Sequence, residues 1–158
     1  MTRKDILDRV QKYFKLHELV GPAVFNAYGN DGWAVLQTDA LHCLLIMREG
    51  IGKAFTVNNW YWNGTYDERG YRDNLSYIAN KKTKADKLYT SGHVLGCAYD
   101  FTVKDMSPDL VREWIEDHAE EFPCKVRLER NFNGTPITWV HFDTKYYERH
   151  PKVYLFDV

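Results

Sequence analysis

Ile6, Val10 and Phe14 recur at helical spacing behind Thr2 and Asp5, a pair with the spacing of a capping box, and predict a first helix over 3–14. Leu36, Ala40, Leu44 and Met47 mark one face of a second helix over 33–49, with Gly50 placed to end it. The stretch between them, 16–31, carries Gly21-Pro22 and Gly29-Asn30-Asp31-Gly32 and reads as a folded loop. Residues 54–58 (Ala-Phe-Thr-Val-Asn) form a short strand candidate, and 99–103 a second. Ser107-Pro108 opens a further helix, whose apolar face is Leu110, Trp114, Ile115, Ala119 and Phe122. Two strands over 124–131 and 137–144 are joined by Asn133-Gly134, the strongest short hairpin signal. Tyr146, Tyr147, Tyr154 and Phe156 give the tail enough aromatic surface to pack back on the sheet. The order of elements predicts an α+β fold: helices covering one face of a mainly antiparallel sheet.

With 158 residues, 44% hydrophobic, the chain can bury one core, so 1–158 is expected to be a single domain. Twenty-one basic and 22 acidic residues give a net charge of −1, which offers no global field for nucleic acid or an anionic membrane. No apolar run is long enough to span a bilayer. The start, Met-Thr-Arg-Lys-Asp, is charged where a secretory signal is apolar, so none is visible. Cys43, Cys97 and Cys124 show no C-x-x-C spacing and read as free thiols of a chain made in a reducing compartment, filling space as small hydrophobes.

Several segments admit two readings. The run Trp60-Tyr61-Trp62 serves either as the wall of a substrate groove or as packing under a loop. Residues 80–90, rich in lysine, read as an exposed basic loop, and Arg69 and Arg72, taken alone, as surface residues. His42 falls within the second helix as a packed or surface residue, and His118 sits near a helix C-terminus where the dipole favours its cation. His17, His42, His118 and His150 are all expected to lie away from any metal.

The chemistry concentrates in Ser91-Gly92-His93-Val94-Leu95-Gly96-Cys97-Ala98-Tyr99-Asp100, which sets a histidine and a carboxylate seven positions apart. A second histidine follows in the aromatic run Trp139-Val140-His141. Two histidines and one aspartate leave one position of a tetrahedral Zn²⁺ open, the catalytic arrangement.

The pattern S-x-H-x-x-G-x-A-x-D with a later W-V-H resembles the zinc peptidases that cut D-amino-acid-containing peptides of bacterial cell walls: D-alanyl-D-alanine carboxypeptidases and dipeptidases, and phage L-alanyl-D-glutamate endopeptidases. The similarity in order and spacing runs from about residue 35 to 144. It implies His93, Asp100 and His141 as zinc ligands, Arg72 of Gly70-Tyr71-Arg72 as a residue facing the substrate, and Ser91 as a hydrogen-bonding partner of the substrate; locally, Ser91 is equally a turn residue. It further implies a cleft around the zinc and peptidoglycan stem peptides as partners; a monomer is expected, and charge and hydropathy predict no nucleic-acid partner and no membrane insertion. The protein would be made in the cytoplasm and act on the wall after release or as part of a phage particle.

One position departs from the pattern. Many relatives carry an acid three residues before the second histidine, where this chain has Thr138, which cannot act as a general base. Glu129 is the replacement considered. A two-residue turn with strict alternation sets Glu129 opposite Thr138, on the face away from His141; a bulge would bring it to the metal side. An ion pair with Arg127 or Arg130 is its other reading, while Asp143 shares a face with His141 and would support it. The expected function is therefore a zinc metallopeptidase of the wall, with phage or prophage lysis as one setting. The rivals are a binding module that keeps the metal without turnover, as in hedgehog signalling domains that share the arrangement, and a phage structural protein.

Overall fold

Thr2 caps helix α1 (Arg3–Val10): its hydroxyl accepts from the Asp5 N–H, and the Asp5 carboxylate accepts from the Thr2 N–H in return. The helix stops short of the expected end, yet Phe14 still enters the core, because Tyr13 and Phe14 N–H groups both turn back onto the Val10 carbonyl. The structure, a computed structural model, describes residues 1–84, 86–145 and 152–158; Tyr146, Tyr147 and His150 lie outside these.

The segment expected as a loop contains helix α2 (Pro22–Tyr28). Its turn formers are the boundaries of the helix: Pro22 occupies the first turn, and Gly29, at φ +51°, ends it. Helix α3 (Thr38–Ile51) starts later than the periodicity suggested, since Leu36 reaches the core from the end of a 3₁₀ turn. Gly52, in the left-handed conformation, ends it. Gly50 lies inside the helix, where a Cβ would run into the Trp114 ring; its role is close approach rather than termination.

Strand β1 (Phe55–Thr56) is shorter than expected, and helix α4 (Tyr77–Lys82) extends into the start of the segment that read as an exposed loop. Strand β2 (Ala98–Val103) leads to helix α5 (Pro108–Asp117), capped by the Ser107 hydroxyl at Leu110 N–H. The hairpin of β3 (Val126–Phe132) and β4 (Thr135–Asp143) turns through Asn133 and Gly134, both at positive φ, as a type I′ turn needs. The tail returns as strand β5 (Val153–Asp157).

Among the described residues the strands form one sheet in the order β1-β2-β4-β3-β5. The β1–β2, β2–β4 and β4–β3 pairs are antiparallel and β3–β5 is parallel, so the fold is α+β with a mixed sheet. One face, with Tyr99, Phe101, Leu128, Val140 and Phe142, joins Ile6, Leu41, Leu44 and Ile115 of the helices in a single core. Each such side chain contributes roughly 1.5–3 kcal/mol by leaving water. The opposite face carries a polar row: Asp100, Arg127, Glu129, His141 and Asp143. Helix α4 departs from the one-face expectation, for its Tyr77, Ile78, Lys81 and Lys82 border the cleft over that polar row. The free thiols Cys43 and Cys97 are buried and Cys124 half-buried.

Candidate metal centre and its cleft

His93 sits in a turn just before β2. The Ser91 hydroxyl accepts from Val94 N–H at 3.3 Å, and Cys97 N–H closes the turn onto the Gly92 carbonyl at 2.9 Å. Gly96 makes the turn possible: its φ is +72°, and a Cβ there would collide with the Val35 carbonyl oxygen. The buried His93 ring donates from Nδ1 to the Gly70 carbonyl at 2.8 Å. A carbonyl only accepts, so Nδ1 carries a proton, and Nε2, 3.3 Å from Asp100 Oδ2, is the nitrogen left to face a metal ion.

Asp100 and His141 face each other across the β2–β4 pair. His141 Nδ1 donates to Asp100 Oδ1 at 2.6 Å, while Nε2 faces Asp143 Oδ2 at 3.4 Å. Arg127 grips Asp143 with two bonds of 2.8 and 2.6 Å, which fixes the group behind His141. The expected ion pair of Glu129 with Arg127 or Arg130 does not form: Arg127 pairs with Asp143 and Arg130 with Asp157.

The donor atoms of His93, Asp100 and His141 all lie within 4.8 Å of one another. Ligands bonded at about 2.0–2.2 Å to a tetrahedral ion stand about 3.3–3.6 Å apart. The trio is therefore near the spacing a metal ion requires, and its two imidazoles are oriented from behind by Gly70 and Asp143. These three residues can hold a metal ion.

Without a metal, a proton holds the cluster together. Burial works against the His141 cation, but the attraction and hydrogen bond of Asp100, with those of Asp143, outweigh it and raise its pKa to about 10. Asp100, despite its burial, is held well below the usual carboxylate range by the two histidines. His93 is pushed down by burial, against the pull of Asp100. Asp143 falls to about 2, as its bonds to His141 and Arg127 overcome its burial.

Glu129 stands directly opposite His141 in the β3–β4 pair. The two-residue turn sets Phe132 against Thr135 and Asn131 against Pro136; the register then shifts, so that only Arg130 of β3 is matched against residues 137–140 of β4. This bulge reverses the alternation and turns Glu129 to the metal face. Arg112 of α5, buried among apolar neighbours, reaches the bulge: its Nη1 donates to the carbonyls of Glu129 at 3.4 Å and Trp139 at 3.2 Å. Sequence reasoning missed Arg112, although a lone cation between Val111 and Ile115 was a visible sign. Burial raises the Glu129 pKa, with Asp100 and Asp143 adding to it and His141 opposing.

Arg72 points into the same cleft. Its Nε donates to the Glu68 carbonyl at 2.8 Å, Nη1 to Tyr89 Oη at 3.4 Å and Nη2 to Asp100 Oδ2 at 3.4 Å. Arg69 instead lies over the Tyr66 ring, 3.5 Å from its centroid. The cleft measures about 870 Å³ and is lined by Arg72, Ser91, His93, Asp100, Glu129 and His141 together. Thr138 is not among its walls; it borders a separate cavity of about 70 Å³ with Val103, Val111 and Val140. Trp60, Tyr61 and Trp62 do not line this cleft either. They gather around His17 and Phe25, with His17 stacked on Tyr61 at 4.1 Å, while Tyr77, Tyr89, Phe132, Trp139 and Phe156 supply the aromatic lining of the cleft. His17, His42 and His118 stand apart from the metal cluster, and His150 is outside the described residues.

No family model matches the chain, and neither a curated protein nor a solved structure matches it.

Proposed function

We propose that the chain is a zinc-dependent peptidase that hydrolyses D-amino-acid-containing peptides of the bacterial cell wall, by carboxypeptidase or endopeptidase cleavage, and that it serves phage or prophage lysis. The observation that carries this reading is the position of Glu129: a half-buried carboxylate across the strand pair from His141, in one cleft with Arg72 and Ser91. A pure metal-binding module has no use for a carboxylate held there by a bulge.

His93, Asp100 and His141 would hold the zinc, which when bound supplies Lewis acidity that polarises a scissile carbonyl and acidifies water. Glu129 takes the proton of the attacking water and returns it to the leaving amine. Its raised pKa suits both halves of that task, since a proton carrier works best near the operating pH. Arg72, fixed by Glu68 and Tyr89, retains N–H groups to grip a substrate carboxylate or carbonyl. The Ser91 oxygen accepts from Val94 N–H, which leaves its own O–H free to donate to the peptide. Asp143 and Gly70 keep the imidazoles aimed at the ion.

Metal analysis followed by a digestion screen on purified muropeptides tests the proposal. About one zinc per chain and new, shorter peptides that disappear with a chelator are expected. Stoichiometric zinc with every muropeptide intact would favour the binding-module reading, and a chain that takes up no metal at this cluster would remove both.

A further inference from the structure

Seven basic residues line the cleft, Arg72, Lys81, Lys82, Lys84, Lys87, Arg127 and Lys145, against three acidic ones, Asp100, Glu129 and Asp143. This inverts the balance of the whole chain, whose net charge is −1. The acidic three are all committed to the polar row of the sheet: Asp100 to His141, Asp143 to Arg127, and Glu129 opposite His141. Lys81, Lys82, Lys84 and Lys87 stand together on α4 and the segment after it, are exposed, and form no ion pair with a carboxylate of the described residues. Lys82 and Glu129 line the same cleft, so this wall borders the site of the chemistry. Lys145 closes the other end, its ammonium on the Thr90 carbonyl at 2.9 Å.

From this charge distribution we infer that the cleft selects peptides bearing free carboxylates beside the scissile bond, and discriminates against the same peptides when those carboxylates are amidated or absent. The inference rests on the peptidase reading above and narrows it. A neutral dipeptide would engage only Arg72 and the metal centre. A longer peptide with two or more carboxylates also meets the lysine wall, where the cleft replaces part of the solvent and counterion screening. The apolar residues flanking the lysines, Tyr77 and Leu88, are exposed and offer surface to the backbone and alkyl parts of such a peptide.

Binding of two tetrapeptides to the zinc-loaded full chain decides it. The two are identical except that the side carboxylates are free in one and amidated in the other, and both are measured by fluorescence anisotropy in the Glu129→Gln protein so that neither is consumed. Tighter binding of the free-carboxylate peptide is expected, with a preference that shrinks as salt rises from about 0.05 to 0.5 M. Joint replacement of Lys81, Lys82, Lys84 and Lys87 by Gln should reduce the preference about tenfold, each exposed ion pair being worth a factor of roughly 1.4 to 5. Equal binding of the two peptides, no binding of the acidic one, or a preference that survives the four replacements would overturn the inference. Should the fourfold variant lose its fold, the salt dependence of the unaltered chain decides the same question. With the same two peptides given to the unaltered zinc-loaded chain, cleavage of neither alongside the binding preference would sink the peptidase reading alone, whereas cleavage of both without a binding preference would sink only this one.

Discussion

Glu129 faces His141 across the β3–β4 pair, although the two-residue turn that joins these strands would by itself leave them on opposite faces of the sheet. The difference is made by the bulge over residues 137–140, and Arg112 binds the Trp139 carbonyl within it and the Glu129 carbonyl on the facing strand. A sheet alternates with period two, so an odd shift in register exchanges every side chain between core and cleft. One irregularity therefore decides whether Glu129 stands at the cluster of His93, Asp100 and His141.

Arg112→Met should show this. Loss of hydrogen bonds from a buried guanidinium is expected to cost roughly 2 kcal/mol of stability, measured by denaturant unfolding. Turnover should fall further than folding explains, with zinc content retained. In a Glu129→Gln background the same replacement should cost no additional turnover, because both changes remove one function; additive losses would assign Arg112 a general structural role.

Arg72→Lys keeps the charge and removes the planar fork that reaches Glu68, Tyr89 and Asp100 at once. A rise in KM together with a lower kcat is expected on any peptide that is cleaved. Full activity in this variant would show that Arg72 orders the cleft without touching substrate.

Thr138→Asp places an acid at the position where the cell-wall zinc peptidases that the motif resembles carry one. Thr138 borders the cavity beside Val111 and Val140 rather than the cleft, so no gain of hydrolysis is expected, alone or with Glu129→Gln. Rescue of Glu129→Gln by the new aspartate would mean that the strand register differs from the one described.

The elements most legible in the sequence were those fixed locally: the Thr2–Asp5 cap, the Ser107-Pro108 helix start and the Asn133-Gly134 turn. His93 and Asp100 were legible for the same reason, since Gly96 must be glycine for the turn between them, whereas His141 was singled out by the resemblance and reaches Asp100 through the β2–β4 pairing. What stayed hidden depends on contacts between distant segments. Nothing local distinguishes a bulge held by Arg112 from regular alternation, and a parallel partner such as β5 leaves no hairpin signature. Helix α2 was obscured because Pro22 and Gly29 bound a helix and a loop equally well. The aromatic run at 60–62 gave no direction for its rings, and the structure turns them to His17 rather than to the metal.

Metal uptake should be coupled to protons. In the metal-free protein His141 carries a proton up to a pKa of about 10, raised from its ordinary 6.5 by Asp100 and Asp143 against the effect of burial. A raised histidine stabilises the fold fully below the unfolded value and loses that contribution as pH climbs through the folded one. Metal-free protein is therefore expected to lose stability between about pH 6.5 and 10. Zinc binding near neutral pH should release a proton, measurable by calorimetry in buffers of different ionisation enthalpy. Uptake with no proton release would mean that His141 is neutral before the metal arrives.

The most direct measurement is the cleavage rate of wall stem peptides by zinc-loaded wild-type and Glu129→Gln proteins, with products identified by mass spectrometry. Wild-type protein is expected to yield defined fragments that together gain one water per cut. Glu129→Gln should lose about 10²–10⁴-fold in rate, the usual cost of removing a general base, with zinc content and melting temperature nearly unchanged. Equal rates in the two proteins, or a zinc-loaded wild type that leaves every stem peptide whole, would contradict the assignment of His93, Asp100, His141 and Glu129 to one hydrolytic centre.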